Sequence, residues 1–220
     1  MIKPDKIIRS KRKTLAVAID HFGRVTVRAP LGCDEKRIFA FLQEKEGWIL
    51  RKKAQMEGAG MRLPPENLQG YSFLLLGKKC TVALTDASKI TFDKSAYTIY
   101  LPKQNSRNKM VKWLKENAKR IFTQVAILQA QKMGVQPKSI GITSAKTRWG
   151  SCSGKNDLHF SFRLVYADSQ LIEYVVTHEL AHIKHKNHSR AFWREVEKYI
   201  PDWRERRKRL KTLGVYMEVF

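Results

Sequence analysis

His178-Glu179-Leu180-Ala181-His182, followed six residues later by His188, is the stretch from which the rest of the chain can be read. Four residues advance a helix by about 400°, so His178 and His182 point the same way, one turn apart. Their ring nitrogens can then meet one ion at about 2.1 Å. Glu179 projects about 100° round the helix from His178. It is out of reach of the ion but within reach of a water on it. There it can act as general base and later return the proton to a leaving group. Catalytic zinc takes three protein ligands and keeps a fourth position for water. His188 is the choice for the third ligand, giving HExxHxxxxxH, with Glu195 or Glu197 of the following helix as alternatives. His185 reads as a surface histidine. As a non-glycine residue it must manage the turn itself, or Asn187 takes the left-handed conformation.

The geometry requires a helix, and the surrounding sequence supplies one. Asp168 or Ser169 can cap its start. Leu171, Val175, His178 and His182 share one stripe, and Ile172, Val176, Leu180 and Ile183 form an apolar neighbour. The helix ends over 184–187. Ser189 caps a second helix, which Pro201 stops. Asp202 and Glu205 have capping-box spacing for a third, rich in Arg and Lys (Arg204, Arg206, Arg207, Lys208, Arg209, Lys211).

Working back towards the N-terminus, strand-like alternation covers 139–147 and 158–166, and the simplest arrangement is an antiparallel pair joined through 148–154. Apolar residues at helical spacing from Met110 to Leu128 predict a long helix over 105–133, closed by Gly134. Its polar face, with Lys109, Lys112, Lys115, Lys119 and Arg120 against Glu116, adds to a basic surface. Strands are expected at 71–76, 79–84, 89–92 and 97–101, after a loop at 61–70. A hairpin of 14–19 with 24–28 turns at Gly23, and Asp34 caps a helix running to about Met56. The resulting expectation is an α+β protein. A mainly antiparallel β region with one helix (1–104) precedes a domain (105–220) in which a small antiparallel sheet packs on the histidine helix.

The 220 residues suffice for one large domain or two small ones. A net charge of +23 predicts attraction to polyanions, so nucleic acid or a nucleotide enters as a candidate partner. Three widely spaced cysteines without a CxxC pair argue for a reducing compartment. The N-terminus lacks the apolar segment of a signal peptide, and no apolar run approaches the roughly 20 residues that cross a bilayer. These features predict a cytoplasmic protein without integral membrane association.

Thr147-Arg-Trp-Gly-Ser-Cys-Ser153, Tyr174-Val-Val-Thr-His-Glu-Leu-Ala-His-Ile183, Asn187-His-Ser189 with Phe192-Trp193, and Pro201-Asp-Trp-Arg-Glu-Arg-Arg207 occur in this order. In these stretches the chain resembles the YgjP-type family of predicted zinc-dependent hydrolases. The resemblance implies a minimal zincin fold related to the SprT-like and WLM peptidases. It implies ligands at His178, His182 and His188 and the base at Glu179. Two departures, Phe160-Ser161-Phe162 and Ala167-Asp168, stand where the family commonly has an Asn before Arg-Leu-Val and a Pro before the helix.

Other residues near the motif carry two readings each. Arg148 can position an anionic substrate group, and His159 and Tyr166 can stabilise an oxyanion, although each also suits packing. Trp149 and Cys152 read as structural, Gly150 as permitting a bend, and Phe192 and Trp193 as core, with a substrate platform as the alternative. The expected function is hydrolysis of peptide bonds in a peptide or protein substrate, with one Zn2+ and a metal-bound water activated by Glu179. The alternatives are a metal-dependent phosphohydrolase acting on nucleotides and a nucleic-acid-associated protease.

Overall fold

A computed structural model of the chain describes residues 2–19, 23–58, 64–218 and 220. The architecture is α+β, with six α-helices and three small sheets among these residues. The chain divides into two units, Met1–Leu63 and Pro64–Phe220. The division falls well before residue 104, so the strands of the 71–104 region belong with the histidine helix. Among the described residues no helix is long and apolar enough to cross a membrane.

In the first unit, strands β1 (Lys6–Ser10), β2 (Ala16–Ile19) and β3 (Val25–Pro30) form a sheet in the order β1-β3-β2. The β2–β3 hairpin is antiparallel, and Gly23 takes the expected positive φ of 73°. Residues 20–22 of its turn lie outside the described residues. Strand β1 was not expected from its short, mostly polar sequence. It pairs parallel to β3, within a region whose strand pairs are mainly antiparallel, as expected. Two helices follow, α1 (Glu35–Glu44), capped by Asp34 accepting from the Lys36 N–H, and α2 (Glu46–Gly58). They replace the single helix expected to Met56, because the Lys45 backbone leaves helical geometry at φ −92°, ψ 2°. Val25, Val27 and Ala29, alternating along β3, pack with Ile38, Leu42 and Ile49 as the core. Trp48 and Leu50 are exposed.

The second unit begins with a sheet in the order β4-β5-β7-β6, from Ser72–Leu75, Lys78–Thr85, Thr98–Pro102 and Thr91–Asp93 respectively. The pair β5/β7 is parallel and the other two pairs of this sheet are antiparallel. The β4–β5 turn places Leu76 and Gly77 at φ 52° and 77°, the paired positive values of a type I′ hairpin. A Cβ on Gly77 would fall 2.7 Å from Asp168 Cβ, and the Leu76 N–H donates to the Val165 carbonyl at 2.6 Å. The hairpin tip therefore rests on the segment that starts the histidine helix.

Helix α3 (Ser106–Met133) buries Met110, Leu114, Ala118 and Phe122 at four-residue spacing and ends at Gly134 in the left-handed conformation. Leu128, expected on this face, is exposed. The third sheet has the order β8-β10-β9, from Ser139–Thr143, Asp157–Ser161 and Gly150–Cys152. The expected antiparallel pair is corrected here: β8 and β10 run parallel, and the antiparallel partner of β10 is the short β9 between them in sequence. The expected strand over 158–166 also ends at Ser161, and Phe162–Tyr166 form a buried 3₁₀ segment. Helices α4 (Ser169–Lys184), α5 (Arg190–Tyr199) and α6 (Trp203–Thr212) complete the unit.

Candidate active site

Asp168 caps α4 as expected, its Oδ1 accepting from the Leu171 N–H at 3.0 Å. The apolar stripe through Leu171 and Val175 is buried, and the imidazoles of His178 and His182 continue it. After α4 the chain leaves helical geometry at His185, whose φ of −130° is extended. Neither His185 nor Asn187 takes a left-handed conformation, so the turn needs no glycine. Ser189 then caps α5, its Oγ accepting from the Phe192 N–H at 3.4 Å. Asp202 makes no side-chain cap on α6, contrary to the capping-box expectation, because its carboxylate takes the Arg206 guanidinium instead.

This turn brings His188 back over the helix. One ring nitrogen from each of His178, His182 and His188 lies within 4.8 Å of the others. The Nε2 atoms of His178 and His188 are 3.1 Å apart. Two nitrogens bound to one tetrahedral zinc at about 2.1 Å stand about 3.4 Å apart, so the observed separation suits a shared ion. His182 Nδ1 lies 3.0 Å from the His185 carbonyl. A carbonyl only accepts, so that nitrogen carries the proton and Nε2 keeps the ring's free lone pair. Burial pushes the His178 pKa down to about 3 and that of His182 downward as well. Both rings are therefore neutral near pH 7, as metal ligands must be. The three histidines can hold a metal ion. Glu195 and Glu197, the alternatives for third ligand, are engaged with Lys184 and Arg204 at 2.7 Å each.

The aromatic residues at the start of α5 support this cluster. Phe192, fully buried, has its ring centroid 4.9, 4.5 and 4.8 Å from those of His178, His182 and His188. Trp193 stacks on His188 at 5.7 Å and on Trp203 at 4.1 Å. The core role expected of Phe192 holds, and both rings also pack against the imidazoles.

Glu179, 7% exposed, projects towards β9. A Cβ on Gly150 would fall 2.7 Å from Glu179 Cγ and 2.8 Å from Oε1. The glycine thus admits the carboxylate, which is a more specific role than permitting a bend. Burial pushes the Glu179 carboxyl up to about 8, against the opposing charge of Arg148. A carboxyl so placed can exchange a proton near neutral pH.

Beside Glu179 and His178 opens a cleft of about 280 Å³, lined also by Arg148, Trp149, Tyr174, Arg207, Leu210 and Lys211. Arg148 and Trp149 therefore face the same space as the histidine helix. Two other candidates do not. Tyr166 is fully buried between Phe73 and Tyr216, and burial raises its pKa. His159, on β10, packs across Gly141 of β8. Cys152 is half-buried with its thiol pKa raised by burial, consistent with no nucleophilic part. Arg207 and Lys211 escaped the sequence reading within a helix of many cations. Their i, i+4 spacing was the available signal.

The chain belongs to the YgjP-like metallopeptidase-domain family, whose model matches residues 13–213. A metallopeptidase domain implies a metal ion and hydrolytic chemistry. No curated protein matches the chain. Two solved structures resemble part of it. One is the metallopeptidase zymogen of Pyrococcus abyssi abylysin, with 27% identity and a TM-score of 0.39 over 41% of this chain and 92% of that one. The other is the metallopeptidase zymogen of Methanocaldococcus jannaschii jannalysin, with 24% identity and a TM-score of 0.38 over 41% and 93%.

Proposed function

We propose that the chain is a zinc-dependent peptidase whose active domain centres on α4, with His178, His182 and His188 holding one zinc ion and Glu179 as general base. The convergence of three imidazole nitrogens beside a buried carboxylate carries the reading. Zinc, when bound, supplies a Lewis acid that polarises the scissile carbonyl and lowers the pKa of water towards about 7. The chain's own residues do the rest. A Glu179 carboxylate oxygen accepts the proton of the attacking water and later delivers it to the departing amine. The His182–His185 hydrogen bond and the Phe192 and Trp193 rings keep the imidazoles oriented. Gly150 leaves room for the carboxylate beside the strand.

The net charge of +23 and the cations of the cleft favour a second reading, a phosphohydrolase acting on nucleotides. The match to a metallopeptidase-domain family counts against it. Metal analysis joined to a mass-spectrometric screen of peptide mixtures tests the peptidase reading. Wild type and Glu179→Gln should each carry one zinc per chain, with the variant about 10²–10⁴-fold slower. His178→Ala should lose both metal and turnover. Equal cleavage by wild type and Glu179→Gln would end the proposal.

A further inference from the structure

The cations of α6 differ in their partners. Arg204 pairs with Glu197 at 2.7 Å, Arg206 with Asp202 and Glu173 at 2.9 Å each, and Arg209 with Asp168. These pairs tie the helix to itself and to its neighbours. Arg207 and Lys211, one turn apart on the same helix, have no carboxylate partner among the described residues. Arg148, from the segment before β9, makes no salt bridge among the described residues, and its charge acts on the Glu179 carboxyl. All three line the cleft beside His178 and Glu179. The Arg207 guanidinium lies over the Trp193 ring at 5.3 Å, and that ring in turn stacks on His188. One of the three cations is thus anchored to the support of the histidines. The cleft's other walls include Tyr174 and Leu210, both buried. Next to such apolar walls a charge pair is screened less than in open water.

We propose that this cleft is a carboxylate subsite, selecting peptides with an acidic group close to the bond to be cleaved. The inference rests on the peptidase reading and names its substrate class. Three cations, Arg148, Arg207 and Lys211, line a space whose one carboxylate among the described residues is Glu179. A substrate carboxylate supplies the missing charge and gains bidentate hydrogen bonds from a guanidinium.

Fluorescein-labelled octapeptides test this on the full-length, zinc-loaded Glu179→Gln protein. One Glu is moved through every position of an otherwise neutral sequence and compared with the all-Gln parent, each with a free or amidated C-terminus. A Glu at one position, or the free C-terminus, should tighten binding about tenfold or more. Which of the two does so identifies the source of the carboxylate. Arg207→Gln with Lys211→Gln should abolish the preference, whereas Lys208→Gln, at an exposed position outside the cleft, should keep it. Equal affinities across the set overturn the subsite, and so does competition by ATP where acidic peptides gain nothing. Incubating the same peptides with the wild-type protein separates this inference from its basis. A binding preference without cleavage leaves the subsite standing and removes the peptidase reading. Cleavage of all peptides alike, with equal affinities, does the reverse.

Discussion

Val25, Val27, Ala29, Ile38, Leu42 and Ile49, which fill the centre of the first unit, are all aliphatic. The buried set of the second unit also includes Gln129, Ser161, Arg163, Thr177 and Glu179. Most of these polar groups are bonded. Gln129 donates to Glu173 at 2.6 Å, Ser161 to the Ala145 carbonyl at 2.8 Å, and Arg163 to the Ser144 and Phe220 carbonyls at 3.0 and 2.6 Å. The Glu179 side chain makes no hydrogen bond among the described residues, and Thr177 Oγ1 is likewise without a partner there. A buried polar group without a partner costs about 1–3 kcal/mol, and more if charged. The first unit thus shows burial used for stability alone. The second shows burial that leaves one carboxyl available for chemistry at a cost to stability.

Substitutions in each region can break or sharpen this contrast. Leu42→Ala should produce the largest stability change, lowering the stability of the first unit by about 2–5 kcal/mol in chemical denaturation. Metal content should stay at the wild-type level, and loss of metal in this variant would show that the two regions do not separate in function. Gly150→Ala drives a methyl group into the space of Glu179 Cγ. Displacing the base by about 1 Å should slow turnover about 10²-fold with metal retained. A wild-type rate would mean that Glu179 has room to move aside. Ser189→Ala, removing the cap of α5 just after His188, should cost about 1 kcal/mol in thermal unfolding. An unchanged melting curve would separate the placement of His188 from that cap.

The helices were the most legible part of the fold, because one buried face repeats every three to four residues whatever the neighbours are. Helix α3 and the Asp168 cap of α4 follow directly from such signals. Strand pairing was less legible. The direction in which β10 meets β8 depends on β9 being inserted between them in sequence but placed at the other edge in space. Three residues, Gly150–Cys152, are too few for an alternation to register. The break at Lys45 escaped for a related reason, since the sequence on both sides of it is helical.

The sequence by itself determined the spacing of His178, Glu179, His182 and His188 and the helix that carries the first three, because local periodicity and capping are properties of neighbouring residues. Only the tertiary structure decided what faces them. It put Gly150 against Glu179, Phe192 beneath the three rings, and Arg207 and Lys211 beside Arg148 in the cleft, while burying Tyr166 elsewhere. These residues are distant from the motif along the chain, and the packing of α4, α5, α6 and β9 brings them to it. A local pattern cannot encode that proximity.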